Sequence, residues 1–285
     1  MILIIDATCI CHIAKHSMKG LTWQEHQTGV IFGFMQHVIR LARKFDTNKF
    51  VFAWDSRKSI RKTQYPLYKQ VRQARDKSPE ELHLDEIAYA QFNLIRNWVL
   101  ERCGFRNSFI QTGLEADDII ARIALDYRDE NMIIVTTDTD LYQVLNGNCA
   151  MYSPRSKKLY TAEDFKKEWG LPPYQWATIL SIAGCDTDEV EGVNRVGKIT
   201  AAKFLKGELK GSTKACQAIM SEEGKIIASR NKDLVKLPHA NTNYVSLKRF
   251  DTLKTDGFLD VFNKFGFQSF LKHQEFQRWK KLMKM

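Results

Sequence analysis

Aspartates recur in this chain at the ends of short apolar runs. Ile2-Leu-Ile-Ile5 ends on Asp6, Phe50-Val-Phe-Ala-Trp54 ends on Asp55, and Met132-Ile-Ile-Val135 is followed closely by Asp138 and Asp140. Short β-branched runs of this kind read as buried strands, and in open α/β sheets ligands bind at the carboxyl ends of the strands. A further group, Gly113-Leu-Glu-Ala-Asp-Asp118, opens what reads as a helix. Glu115 and Asp118 are three apart and share one helical face, with Asp117 to its side. Any one of these acids is ordinarily a helix cap or a favourable first-turn charge. Their recurrence at strand ends points instead to one shared acidic cluster. Crowded carboxylates must protonate or bind cations, and hard oxygen ligands select Mg²⁺ or Mn²⁺ over Zn²⁺.

Cationic and aromatic residues follow Asp55 directly. Residues 57–77 hold eight basic side chains against one acid, Asp76, with Tyr65 and Tyr68 interleaved. Pro66 interrupts any single helix there. A charge run is ordinarily a solvated face. Beside a candidate metal ligand it reads as a single-stranded nucleic-acid path, because basic groups neutralise phosphates and aromatic rings stack on bases. Arg57, Lys58, Arg61, Lys62 and Tyr68 are the candidate contacts, and Lys69 and Arg72, three apart, would face one phosphate if helical. Further along, Asp186 and Asp188 precede a turn flanked by Gly192 and Gly197, and a helix starts at Lys198. Glycines admit close backbone approach, and amides at a helix start bind phosphate.

The elements that must position these residues alternate. A strand at 2–5, an amphipathic helix at 29–43 weakened slightly by Gly33, and a strand at 50–54 fit a right-handed crossover and a parallel sheet. Ser78-Pro-Glu-Glu81 starts a helix that runs to about Cys103, with Gly104 as its stop. The acidic helix and the strand at 132–135 follow, then a short helix or turn around Gln143 and two short strands near 150–153 and 158–160. Thr161-Ala-Glu-Asp164 reads as a capping box, and a helix runs from about Leu171 to Ala183. Past Leu209 the pattern is weaker, although a helix near the chain end is expected, with Trp279-Lys-Lys-Leu-Met-Lys as a basic surface face. His37 reads as a packed or surface histidine.

At 285 residues, 44% of them hydrophobic, the chain has room for one large domain or two modest ones. The 43 Lys and Arg exceed the 33 Asp and Glu by ten; a basic protein with an acidic centre suits a polyanion held beside metal ions. The six cysteines include no CxxC pair and read as reduced thiols of a cytosolic protein. Cys9, Cys11 and His12 look like a metal tract but fit better as the lining of a first helix. No signal peptide and no membrane span are expected.

Taken in order, these motifs resemble the 5′-nuclease superfamily of bacteriophage 5′→3′ exonucleases, flap endonucleases and the 5′-nuclease domain of bacterial DNA polymerase one. The match covers about residues 2–205: the strands ending in Asp6 and Asp55, Tyr-Pro-Leu-Tyr68-Lys69-x-x-Arg72, Gly-Leu-Glu115-Ala-Asp117-Asp118, Thr-Thr-Asp138-Thr-Asp140, Ala-Gly-x-Asp186-x-Asp188, and Gly192-Val-x-x-Val-Gly197-Lys198. The resemblance implies an α/β fold, a central mostly parallel sheet flanked by helices (PIN-like), with a helical arch and a helix–three-turn–helix element that grips duplex DNA. It implies a nuclease core over residues 1–183, with the basic arch at about 56–80, and a DNA-binding and helical region over 184–285. One metal group would comprise Asp6, Asp55, Glu115, Asp117 and Asp118, sharing Asp138 and Asp140; the other would comprise Asp138, Asp140 and the acids near 186–188. Lys69 and Arg72 fall on arch positions that contact the scissile phosphate.

The implied activity is metal-dependent hydrolysis of phosphodiesters in DNA with 5′ flaps, nicks or free 5′ ends, and in RNA of RNA–DNA hybrids, during replication or repair. Two or more Mg²⁺ or Mn²⁺ ions, a monovalent cation at the glycine turn, replication proteins as partners, a monomeric state and a cytoplasmic location (the host cytoplasm for a phage protein) belong to the same expectation. Two positions depart from the pattern. The phage motif reads Gly-Asp-x-x-Asp-Asn, and here Cys185 takes the first aspartate, which leaves both Asp186 and Asp188 as candidate ligands. Arg195 stands where glycine is common in the turn. The rival readings are a PIN-type ribonuclease, which would lack the arch and the glycine turn, and a DNA-binding protein that does not cleave, against which the intact acids argue.

Overall fold

A computed structural model of the chain describes residues 1–70 and 77–285. It divides into two compact units, one of Met1–Trp54, Asp76–Ile110 and Val245–Met285, the other of Asp55–Arg75 and Gln111–Tyr244. The last forty or so residues pack with the first strands, and residues 184–244 pack with the acidic segments.

In the first unit three parallel strands lie in the order Ser108–Ile110, Phe50–Trp54, Ile2–Asp6. The register pairs Asp6 with Ala53, so the carboxyl ends of the two longer strands are level. Phe50–Trp54 is buried throughout, as the continuous apolar run demands of a central parallel strand. Helices Ala7–Ser17 and Gly29–Phe45 connect these strands. A Cβ at Gly33 would lie 2.7 Å from the Ala14 Cβ, so this glycine is the point where the two helices cross closely rather than a flaw in the second. Cys11 is buried and His12 packs edge-on against Phe92, which makes the Cys9–His12 tract a packed helical face. At the expected helix start Ser78 and Glu81 form a capping box, and Gly104 ends the helical stretch in a left-handed turn.

The C-terminal helix His273–Met283 also belongs to this unit. Trp279 and Met283 are fully buried, with Trp279 packed at steep ring angles among Phe258, Phe262 and Phe270. The expected basic surface face is therefore only half right: its apolar stripe anchors the chain end.

In the second unit, Met132–Val135 pairs in parallel with Cys149–Tyr152, which pairs antiparallel with Leu159–Tyr160. Helix Ala116–Asp126 precedes these strands, and Ala162–Trp169, Trp176–Ala183, Lys198–Leu205, Lys214–Met220 and Glu222–Val235 follow. Phe165, Trp176, Ile179, Leu180, Ala201 and Leu234 share one buried cluster, so the helices on either side of the glycine turn are packed together. The fold is the mixed, mostly parallel sheet with flanking helices that the resemblance implied. No described helix is long and apolar enough to cross a membrane.

Candidate active site

Acidic side chains of the second unit are placed by caps. Asp55 Oδ1 accepts the Ala116 amide at 2.7 Å and so caps the start of the acidic helix. Asp138 Oδ1 accepts the Asp140 amide at 2.8 Å, and the Asp138 amide donates to buried Thr136 Oγ1 at 3.1 Å. Buried Gln143 holds this turn from behind. Its Nε2 donates to the Asp140 and Val235 carbonyls, and its Oε1 accepts the Leu237 amide. Thr136 and Gln143 were not singled out from sequence, since nothing separates a buried positioning amide from an ordinary polar residue there.

Tyr68 and Lys69 connect the basic run to the acids. Tyr68 Oη lies 2.9 Å from Glu115 Oε2 and 3.1 Å from Asp188 Oδ2. Lys69 Nζ lies 2.8 Å from Glu115 Oε1 and 3.4 Å from Asp188 Oδ1, and the Lys69 amide donates to the Asp188 carbonyl at 3.1 Å. Burial would discharge Lys69, but Glu115 and then Asp188 outweigh it and hold the ammonium above its ordinary pKa. Burial, followed by the charges of Glu115 and Asp188, pushes the Tyr68 hydroxyl up, so it stays a neutral donor. Burial and the neighbouring charges of Asp138 and Asp188 raise Asp140 to about 7, and burial likewise raises Asp188. Carboxylates this crowded have free energy to gain from a cation.

Three of the candidate side chains turn inward. Arg61 is 2% exposed, and its guanidinium donates to both oxygens of Asp118 at 2.6 and 2.7 Å. Asp118 is 0% exposed and also accepts the His239 and Glu115 amides. Burial would raise the Asp118 carboxyl, but the Arg61 hydrogen bonds and charge hold it below the ordinary range. The Asp118 oxygens are thus engaged by Arg61 and two backbone amides within the fold. The Tyr68 ring is 2% exposed and has no face to offer a base. Charge and aromatic counts cannot reveal this, because burial of a single Arg–Asp pair is a tertiary fact.

Arg57 and Lys58 are exposed, Lys62 is half-buried, and Arg72 lies outside the described residues. Asp117 is half-buried on the first turn of the acidic helix. Asp6 belongs to the first unit, where its Oδ1 caps the next helix by accepting the Cys9 amide at 2.9 Å. Asp188 is gathered with Asp140, whereas Asp186 is exposed. Gly192 serves packing, since a Cβ there would fall 2.2 Å from the Ala183 carbonyl. Gly197 is open and immediately precedes helix Lys198–Leu205. Arg195 takes the left-handed conformation, φ 58°, that favours glycine. Lys198 Nζ stands 5.4 Å from the Trp176 ring centroid, and its charge acts on Asp140.

The ligand atoms of Asp140, Cys185 and Asp188 all lie within 4.8 Å of one another. Converging donors, together with the raised carboxyls of Asp140 and Asp188, fit a divalent cation.

Comparison with known proteins places the chain in a family. The family model of the 5′-3′ exonuclease N-terminal resolvase-like domain matches residues 1–170. The chain is 27% identical over 210 residues to the 5′-3′ exonuclease of Buchnera aphidicola (subsp. Schizaphis graminum), covering 72% of this chain and 69% of that one. It is 30% identical over 210 residues to the thermostable DNA polymerase I of Thermus thermophilus, covering 72% of this chain but only 24% of the polymerase. The fold is similar to the bacteriophage T5 flap endonuclease in a pseudo-enzyme–product complex with DNA and metal ions, with TM-score 0.71, 19% identity and coverage of 99% and 98%.

Proposed function

The chain belongs to the 5′-3′ exonuclease family, and on that premise we propose that it is a Mg²⁺-dependent, structure-specific nuclease that cuts DNA at 5′ flaps, nicks and free 5′ ends. The observation that carries this reading is the convergence of Asp140 and Asp188 beside Asp138, with Lys69 ion-paired at the edge of the same group. Glu115, Asp138, Asp140 and Asp188 would hold divalent ions, with Asp55 and Asp117 at the adjoining helix start and Asp6 as a further candidate at its own strand end. When bound, such ions polarise the phosphate, activate water and stabilise the leaving oxygen.

The chain's own residues do the rest. Lys69 brings a cation that burial and Glu115 keep charged, suited to the negative charge that develops on a scissile phosphate. Tyr68 holds Glu115 and Asp188 at fixed separation through one hydroxyl. The open helix start at Gly197 and Lys198 offers amides and charge to duplex phosphates, and exposed Arg57 and Lys58 suit a single strand. The described residues 56–70 would line the path of such a strand, and the rest of the expected arch up to residue 76 lies outside the described residues.

The test is to incubate 5′-flap, nicked and RNA–DNA hybrid substrates with Mg²⁺ and map the cuts. Cleavage near the 5′ junction, abolished by chelator and by Asp138→Asn with flap binding kept, is the expected result. The asparagine keeps the cap to the Asp140 amide while removing charge, so wild-type cleavage by that variant would overturn the ligand assignment. Efficient cutting of structureless single-stranded RNA, with flaps left intact, would favour the PIN-type ribonuclease reading.

A further inference from the structure

The ligand group that includes Asp140 and Asp188 contains one sulfur. Cys185 is 2% exposed, and its Sγ lies 3.9 Å from Asp140 Oδ2 and 3.1 Å from Thr187 Oγ1. This is the residue that stands where the phage motif has its first aspartate. Its position is not incidental to a loose loop. Gly184–Cys185 pairs antiparallel with Val190–Glu191, in register Cys185 to Val190. Gly184 is in the left-handed region at φ 77°, where a Cβ would meet the Val190 carbonyl at 2.3 Å. Asn231, fully buried, donates from Nδ2 to the carbonyls of Ser181, before this hairpin, and Glu191, at its end. Asp188 in turn is held by the Lys69 amide and the Tyr68 hydroxyl. Sulfur and oxygen donors are thus placed before any cation arrives.

Resting on the metal-site reading above, we propose that Cys185 is a ligand that determines metal specificity, giving the Asp140–Cys185–Asp188 centre a preference for thiophilic divalent cations such as Cd²⁺ and Zn²⁺ over Mg²⁺. The spacing suits this. With bonds of about 2.3 Å to sulfur and about 2.1 Å to oxygen at a tetrahedral angle, the two donors stand roughly 3.6 Å apart, close to the 3.9 Å between Sγ and Asp140 Oδ2. All-oxygen sites suit Mg²⁺ and Mn²⁺, whereas a thiolate selects softer ions. The balance is simple. The Cys185 S–H bond breaks, its proton passes to solvent, and the sulfur lone pair forms the bond to the cation, with no change of oxidation state.

The experiment is titration of the full-length chain with Cd²⁺, followed by ultraviolet difference absorbance for thiolate-to-metal charge transfer, on wild type, Cys185→Ser and Cys185→Asp. The wild type is expected to gain a band that saturates at one equivalent. Cys185→Ser should lack that increment and bind Cd²⁺ at least about tenfold more weakly, which is about 1.4 kcal/mol. Cys185→Asp, restoring an all-oxygen site, should lack the band and bind Mg²⁺ more tightly than the wild type. An identical band in wild type and Cys185→Ser would overturn the proposal, because the sulfur would then come from another of the six cysteines. If the variants fail to fold, X-ray absorption on wild type loaded with one equivalent of Zn²⁺ decides. A sulfur neighbour at about 2.3 Å supports the proposal, and a shell of oxygen and nitrogen alone overturns it. Flap cleavage with Mg²⁺ separates the two readings. Cleavage without a Cys185-dependent band leaves the nuclease reading standing and removes this one, whereas absence of both cleavage and divalent binding removes the nuclease reading.

Discussion

Arg61 and Lys69 show how differently two cations of one basic run can act. Arg61 is committed to Asp118 in the interior, so its removal leaves a carboxylate buried with only backbone amides. Arg61→Ala should lower stability by about 3–5 kcal/mol, read as a drop in urea midpoint at unchanged slope. A loss of flap affinity with unchanged stability would instead return Arg61 to the DNA interface. Lys69 faces Glu115 and Asp188 at the rim of the acidic group. Its charge is positioned for the transition state more than for the ground state, so Lys69→Ala should cut the single-turnover rate on a 5′ flap by about 10²-fold or more, with binding within about threefold of wild type. Equal falls in rate and binding would make it a docking residue.

At the scale of elements, much of the site rests on the hairpin 184–191 and the turn behind it. Gly192 allows the turn to lie against the Ala183–Gly184 backbone, at a distance no Cβ tolerates. Gly192→Ala should destabilise the protein by about 1–3 kcal/mol through overpacking, and because the hairpin carries Cys185 and Asp188, divalent-cation affinity should fall with it. Calorimetric titration of the folded variant, alongside thermal melting, checks both. Gly197 meets nothing within 4 Å, so Gly197→Ala should leave stability within about 0.5 kcal/mol of wild type and serves as the internal contrast.

For the whole molecule, the acidic group sets a pH dependence. The folded-state pKa of Asp140, about 7, lies above its ordinary value of 3.8. Between those values the folded chain holds a proton that the unfolded chain lacks, so this group's contribution to stability is lost as pH rises toward about 7 and stays lost above it. In chelator, Asp140→Asn should therefore gain stability relative to wild type as pH rises from 5 to 7.5, on the order of 1 kcal/mol or more given about 1.36 kcal/mol per unit. His37 works in the opposite direction. Burial, then Arg40, lowers its pKa below 6.5, so acidification favours the unfolded chain; comparing the variant with wild type cancels that contribution. Denaturant melts at several pH values, with and without divalent ion, are the measurement. A difference that does not change with pH would show that Asp140 is ionised throughout. Added divalent ion should raise wild-type stability and remove the pH trend, since binding to the folded state alone stabilises it.

Local rules made the elements legible from sequence. Buried strands show as continuous β-branched runs, caps show at Ser78 and Thr161, and a stop shows at Gly104, because each depends on a few neighbouring residues. The acids at strand ends were legible for the same reason, and their order along the chain marked the family. What lay beyond sequence reading was which polar groups turn inward. Arg61, Tyr68, Asp118 and Trp279 each looked like surface or site residues by type, and each is buried. Asp188 rather than Asp186 stands with Asp140, and residues 245–285 pack with the N-terminal strands. Type and spacing along a chain determine which hydrogen bonds are possible nearby, whereas burial and pairing between distant segments depend on which surfaces exclude water together, and only the tertiary structure decides that.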